Sequence, residues 1–281
     1  MDGSVAVTFG NITFQQSEGA RVELSLRMID SHAHLADKQF SKDLDAVLKR
    51  AKEAGVARCI AISDDLDEAK KCLQLAEKYE QIFCTVGVHP HVSVQLPAVG
   101  LQQVIALAQS SQKVVAIGEI GLDYYYDNSP RDVQKEVFRS QLHIAKEMKM
   151  PAVVHCREAI ADLKQIITEV EPPSLVLHCC TEKWEDVLSL VERGYFLSFT
   201  GIATYPKAED IRNTIRQCPL GQLMIETDAP YLAPIPYRGK RNEPAFVREV
   251  ATLIAEICGK SPEDIDTITT ANTVAFFGLP A

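Results

Sequence analysis

The chain is poor in the features that mark several common protein classes. Its 281 residues contain no run approaching the roughly 18 consecutive apolar residues that a membrane span requires. The first 27 residues lack the continuous apolar core of a secretory signal. The eight cysteines include no C-x-x-C pair, which argues against a structural zinc knuckle. Cys59, Cys84, Cys156 and Cys179 lie in apolar strand-like runs, and Cys72 and Cys258 in helical ones. They read as small buried hydrophobes of a reducing, cytoplasmic compartment, not as a disulfide framework. No Gly-x-Gly-x-x-Gly follows a strand-like run, so dinucleotide binding is disfavoured. Positive charge is also short, with 29 Lys and Arg against 38 Asp and Glu, a net charge of −9 at pH 7. A chain with that balance is not built to wrap duplex nucleic acid along a basic face. It remains compatible with an enzyme that grips one or two phosphates through metal ions.

What is present is a regular alternation. Short apolar runs start at Met28–His34, Cys59–Ser63, Phe83–Val88 and Val114–Ile120. They continue with Ala152–His155, Leu175–His178, Tyr195–Phe199 and Leu223–Thr227. Continuous apolar runs of this length suit strands buried on both faces of a parallel sheet. Amphipathic stripes separate them: Leu44, Val47, Leu48 and Ala51; Leu101, Val104, Ile105 and Ala108; Phe138, Leu142, Ala145 and Met148 after Pro130; and Phe246, Val247, Val250, Ile254 and Ile257. Ser261-Pro262-Glu263-Asp264 reads as an N-cap, a proline at N1 and an acidic first turn for a last helix. Eight strand–helix units at about 30 residues each predict a (β/α)8 TIM-type barrel over residues 28–281 as a single domain, with an open doubly wound sheet as the alternative. Residues 1–27 stand outside that scheme as an N-terminal extension. Within it, Val5 to Phe14 has the pattern of a short strand or of a hairpin turning at Gly10-Asn11.

Barrel enzymes carry their chemistry at the C-terminal ends of the strands, and six of the seven histidines fall there. His32 and His34 are separated by one residue, so on a strand they share a face. His89-Pro90-His91, the Glu119 to Asp123 stretch, His155 to Glu158, His178 and Glu226-Thr227-Asp228 occupy other strand ends. His143, off the apolar stripe of its helix, reads as a solvated surface residue. A convergence of imidazoles and carboxylates points to a metal centre of Zn, Mn, Fe or Co, magnesium being less natural because it favours all-oxygen shells. Four histidines and two carboxylates exceed the needs of one catalytic ion. Two divalent ions about 3.5–4 Å apart, bridged by a carboxylate, would use them all.

The motifs His32-x-His34, Gly87-Val88-His89-Pro90-His91, Gly118-Glu119-Ile120-Gly121-Leu122-Asp123-Tyr124, His155-x-Arg157, His178-Cys179, Glu226-Thr227-Asp228-Ala229-Pro230-Tyr231-Leu232 and Arg241-Asn242-Glu243-Pro244 together resemble the TatD family of metal-dependent deoxyribonucleases, within the amidohydrolase-like barrels. The resemblance runs from Met28 almost to the C-terminus. It implies that His32, His34 and Asp228 hold one divalent ion, that His155 and His178 hold the other, and that Glu119 bridges both. It further implies a hydrolase in which an activated water attacks phosphorus in line with a leaving 3′-oxygen. The substrate would be DNA, as single strands or frayed ends degraded from the 3′ end. No membrane and no obligate protein partner is implied. Asp228 is either a ligand alone or a proton acceptor as well.

Around that set, weaker signals attach to Arg157 as a phosphate clamp or a salt bridge at the barrel mouth. Tyr124 and Tyr125 are candidates for stacking on a base, and His89 and His91 for contact with phosphate. Arg241 is expected to pair with Glu243 close to substrate. Asp30 and Glu226 are candidates for orienting imidazoles from behind. Cys180-Thr181-Glu182 departs from the aromatic residue and small Ser-Gly pair that usually follow His-Cys in the family, so it bears on one wall of the cleft. Two other functions fit the same scaffold: hydrolysis of a small amide, lactone or phosphoester, and a non-enzymatic metal-bound binding protein.

Overall fold

The protein is described by a computed structural model over residues 6–9, 12–15, 28–96 and 99–280. Eight strands lie parallel in one sheet, each bonded to the next in chain order: β3 (Met28–Ala33), β4 (Val56–Ala61), β5 (Ile82–Val86), β6 (Val114–Asp123), β7 (Ala152–Arg157), β8 (Leu175–Leu177), β9 (Phe196–Phe199) and β10 (Leu223–Ile225). Helices α1 (Leu44–Glu53), α2 (Leu66–Lys78), α3 (Gly100–Ser110), α4 (Arg131–Met148), α5 (Ile160–Val170), α6 (Trp184–Val191) and α7 (Glu209–Gln217) separate the strands, and α8 (Val247–Cys258) and α9 (Pro262–Phe277) follow. Each expected stripe is the buried face of its helix: Val47, Leu48 and Ala51 in α1, Phe138, Leu142 and Ala145 in α4, Val250 and Ile254 in α8. Ser261 caps α9 through a capping box with Asp264. His143 is exposed, as its position off the stripe requires.

The sheet curls until its ends meet. Beyond β10, the Asp228 amide donates to the His32 carbonyl at 2.9 Å and the His34 amide to the Ala229 carbonyl at 2.7 Å, with a parallel bridge between Ala33 and Ala229. Asp30 adds a side-chain clasp across the same seam. Its Oδ1 accepts from the Thr227 amide at 2.8 Å and its Oδ2 from the Thr227 hydroxyl at 2.5 Å. Burial pushes the Asp30 carboxyl up to about 8 despite these donors. The architecture is therefore a (β/α)8 barrel and not an open doubly wound sheet. Ile29, Ile60, Phe83, Val115, Val153, Val176 and Met224 form a dry interior layer, against which Phe276, Phe277 and Leu279 pack from the end of α9. The polar side chains gather at the opposite, C-terminal ends of the strands.

Two differences from the expected boundaries matter for the site. β6 runs to Asp123, because its end pairs with β7 as far as Arg157. β8 and β10 stop before His178 and Glu226, where the chain turns sharply: Cys179 and Asp228 have φ of 45° and 56°. At the N-terminus, β1 (Ala6–Phe9) and β2 (Ile12–Gln15) pair antiparallel with Phe9 opposite Ile12, the expected hairpin; its Gly10-Asn11 turn lies outside the described residues. Among the described residues no helix is long and apolar enough to cross a membrane.

Candidate metal centre

Two bulges aim the central side chains. Along β6, Ile117 faces Ala152 and Ile120 faces Val154, so Gly118 and Glu119 together oppose one residue of β7. Along β3, Asp30 faces Cys59 and Ala33 faces Ala61, so Ser31 and His32 oppose one residue of β4. An extra residue bends a strand and re-aims its side chain. Here it carries Glu119 and His32, both almost fully buried, to the centre of the barrel mouth. Gly121 makes the β6 arrangement possible: its φ is 147°, and a Cβ there would lie 2.0 Å from the His155 carbonyl oxygen.

Glu119 divides the cluster. Its Oε2 lies 3.3 Å from His32 Nε2 and 3.7 Å from His34 Nε2. Asp228 Oδ1 lies 3.6 and 3.3 Å from the same two nitrogens, which are 3.4 Å from each other. Donors bound at about 2.0–2.2 Å around one tetrahedral ion stand about 3.4 Å apart, so the donor set and its spacing fit a cation. The other oxygen, Oε1, lies 2.8 Å from His178 Nε2 and 3.0 Å from His155 Nδ1, themselves 3.3 Å apart. The six expected ligand residues are thus brought together as two donor groups on opposite oxygens of one carboxylate.

The far side of several imidazoles is tied to an acid. His178 Nδ1 lies 3.3 Å from Glu226 Oε1, and Glu226 is itself held by the Cys179 amide and the Ser198 hydroxyl. His155 Nε2 donates to Asp123 Oδ2 at 3.1 Å. His34 Nδ1 faces Asp64 Oδ1 at 3.6 Å. Glu226 lies where an orienting carboxylate was expected. Asp30 does not orient an imidazole: its oxygens go to Thr227 and, at 3.4 Å, to the His32 amide. Asp123 and Asp64 were not singled out from sequence. The signal for Asp123 was present in the Gly-Leu-Asp-Tyr motif, and that for Asp64 in its place just past a strand end.

Charge in the cluster is mutually held. Burial opposes ionisation of Glu119, but His178, His89 and His32 keep its carboxyl well below the usual range. Burial also opposes charge on Asp228, which His34 and His32 hold down. In the reverse direction, burial disfavours the His34 imidazolium, yet Asp64, Asp228 and Glu119 push its pKa up to about 10. A buried site that pulls protons onto its imidazoles is one that favours cations.

The residues around the centre divide differently from expectation. His89 Nδ1 accepts from the His91 amide at 3.1 Å, so the neutral ring carries its proton on Nε2, which points at Glu119 Oε1 at 3.4 Å. Burial lowers its pKa and keeps it neutral. His89 is therefore a donor into the site. His91 donates to Asp123 at 2.8 Å. Tyr124 is not free to stack, because its hydroxyl donates to Asp162 at 2.7 Å and Arg131 lies over its ring. Tyr125 is exposed, and Tyr126, which was not singled out, stands beside it. Arg157 forms no salt bridge among the described residues and lies over Tyr125 and Tyr126. Arg241 does pair with Glu243 at 2.9 Å. Its other donors go to Asp43 and the Gln39 carbonyl, so it fastens the loop after β3 instead of facing the cleft.

A family model for TatD-related DNase matches residues 29–278. The chain belongs to the TatD family. It is 38% identical over 254 residues, spanning 90% of this chain and 99% of the relative, to the uncharacterized metal-dependent hydrolase YabD of Bacillus subtilis. It is 36% identical over 262 residues, again 90% and 99% of the two chains, to the 3′-5′ ssDNA/RNA exonuclease TatD of Citrobacter koseri. The solved structure of YJJV, a TatD homolog from Escherichia coli K12, superimposes with a TM-score of 0.87 at 31% identity, covering 92% of this chain and 100% of that one. The protein is a metal-dependent hydrolase.

One departure from the TatD pattern acquires a location. Glu182 does not face the centre. Its Oε1 lies 3.7 Å from the Cys156 thiol, its carbonyl accepts from Thr214, and burial raises its pKa. In this segment Cys180 is buried, its amide donating to the Ser198 carbonyl of β9, Thr181 is exposed, and Glu182 packs against β7 and α7.

Proposed function

We propose that this TatD-family hydrolase cleaves phosphodiester bonds of single-stranded DNA, removing nucleotides from the 3′ end with the help of two divalent cations. The observation that carries the reading is Glu119, whose two oxygens each face a separate group of donors. In this reading His32, His34 and Asp228 hold one cation, His155 and His178 the other, and Glu119 bridges them. Zn, Mn or Co suits such nitrogen-rich shells better than Mg. Cations of this class make water a stronger acid and offset charge on phosphate oxygens.

The protein's own groups supply orientation and proton handling. Asp123 and Glu226 fix the tautomers of His155 and His178, directing Nδ1 of the first and Nε2 of the second inward. His89 presents an N–H beside Glu119, placed to donate to a phosphate oxygen. Asp228 combines ligation with acceptance of a proton from the attacking water. The net charge of −9 favours short unpaired ends over long duplex contacts. The relatives named ssDNA/RNA exonuclease support a nucleic-acid substrate, and make RNA the natural second test. All eight cysteines are free, in keeping with a reducing, cytoplasmic setting.

The test is a nuclease assay on 3′- and 5′-labelled single strands with Mn, Zn, Co or Mg added, Glu119→Gln alongside. The expected result is stepwise shortening from the 3′ end, with at least about a 1,000-fold loss in the variant. Full activity in Glu119→Gln would overturn the bridging assignment. Turnover of small esters with no action on any oligonucleotide would overturn the substrate.

A further inference from the structure

The residues proposed to hold cations account for the floor of the cleft and leave its rim without a role. On the rim Tyr125 and Tyr126 are each 54% exposed, an unusual amount for two adjacent large rings. They meet edge to face, with centroids 4.9 Å apart. The Arg157 guanidinium lies 4.0 Å from the Tyr125 centroid and 4.8 Å from that of Tyr126. No carboxylate among the described residues pairs with Arg157, although the chain carries nine more acidic than basic side chains. The cluster is also wired to the floor. Asp123, fully buried, accepts the Tyr125 and Tyr126 amides on Oδ1 at 3.0 and 2.8 Å. Its Oδ2 accepts from His91 Nε2 at 2.8 Å and His155 Nε2 at 3.1 Å. Tyr126 stands edge-on to His91, with centroids 5.3 Å apart. A single carboxylate therefore sets the position of two aromatic rings and of an imidazole that faces Glu119.

We infer that Tyr125, Tyr126 and Arg157 form a subsite for the unpaired nucleotide adjoining the scissile phosphate, the rings stacking on its base and the guanidinium pairing with its phosphate. This rests on the phosphodiesterase reading above and adds the origin of strand selectivity to it. A base within a duplex already has both faces covered by its neighbours and offers an aromatic side chain only its edges. An unpaired base offers its faces, and every base has them, so the subsite selects single strands without selecting sequence. An uncompensated guanidinium is the matching receptor for the phosphate.

The test compares the full-length, metal-supplemented protein with Tyr125→Ala/Tyr126→Ala, Tyr125→Phe/Tyr126→Phe and Arg157→Gln. Each is assayed on a labelled single-stranded oligonucleotide, on the same sequence as a blunt duplex, and on bis(4-nitrophenyl) phosphate, which carries no base. The alanine pair should raise KM for the single strand about 10- to 100-fold, with kcat within about threefold, and shrink the preference for single strand over duplex. The phenylalanine pair should restore both, since stacking needs the ring and not the hydroxyl. Arg157→Gln should raise KM about tenfold and flatten its dependence on salt. Wild-type KM in the alanine pair overturns the subsite, as does an equal loss on the small diester. If the wild-type protein cleaves the small diester but no oligonucleotide, the functional reading fails and the subsite falls with it. That outcome is read from the wild-type arm alone.

Discussion

Asp123 shows how much one buried carboxylate can organise. Asparagine at this position retains an oxygen for the Tyr125 and Tyr126 amides but replaces the second acceptor by a donor, which His91 and His155 cannot use. We therefore expect Asp123→Asn to fold, and to lose about 10- to 100-fold in affinity for one of the two proposed ions, read by metal titration. Unchanged binding of both ions would show that His155 needs no partner. His34 supplies a second expectation. With its pKa raised to about 10, it holds a proton at neutral pH, and a cation at Nε2 must displace it. Metal binding should release protons, and apparent affinity should rise from pH 6 to pH 9. Calorimetry in buffers of different ionisation enthalpy measures this. The sign for the metal-free fold is the opposite. Stabilisation from the raised His34 pKa is complete below about 6.5 and fades as pH climbs through about 10.

At the scale of elements, the periodicity of the chain located all eight barrel strands and the helices named from their stripes, because a strand buried on both faces and a helix buried on one have different repeats. A convergence of imidazoles was legible for a related reason, since histidines recurring at strand ends have little business there unless they converge; which six residues to take as candidate donors came from the family resemblance. The bulges at Ser31-His32 and Gly118-Glu119 were not legible, since strand alternation carries no mark of an inserted residue. Nor were contacts made across the fold. Tyr124 looked free to stack until Asp162, from α5, took its hydroxyl. Asp30 looked like a support for an imidazole until Thr227 took its oxygens. The β6 bulge depends on Gly121, where any side chain would collide with the backbone of β7. Gly121→Ala should cost at least about 3 kcal/mol in denaturant unfolding and reduce bound metal together with stability. A variant of normal stability would mean that β6 and β7 can separate without disturbing Glu119.

For the molecule as a whole, the centre and the closure of the barrel are one problem. His32 belongs to the first barrel strand, His34 follows it directly and Asp228 lies in the segment after the last strand, so a cation held among them would join the two sides of the seam. Among the described residues the direct fastenings between the two strands' ends are two backbone bonds, the Asp30–Thr227 clasp and the Ser31 hydroxyl, which donates to the Ile225 carbonyl at 2.9 Å. A ligand bound only by the folded state at about 1,000 times its Kd stabilises by about 4 kcal/mol. In a domain somewhat smaller than this one, each kcal/mol moves Tm by about 2–4 °C. Chelation should therefore lower Tm by about 10 °C. The loss should also be local, because a cation held by these residues would lie at the seam. Hydrogen exchange should quicken most at the amides of His34 and Asp228, which bond across it, and less in β5, two strands away from it. His178→Ala, which leaves His32, His34 and Asp228 intact, should keep those two amides protected when metal is supplied. Equal exchange throughout the barrel after chelation would mean that the seam holds without the cation.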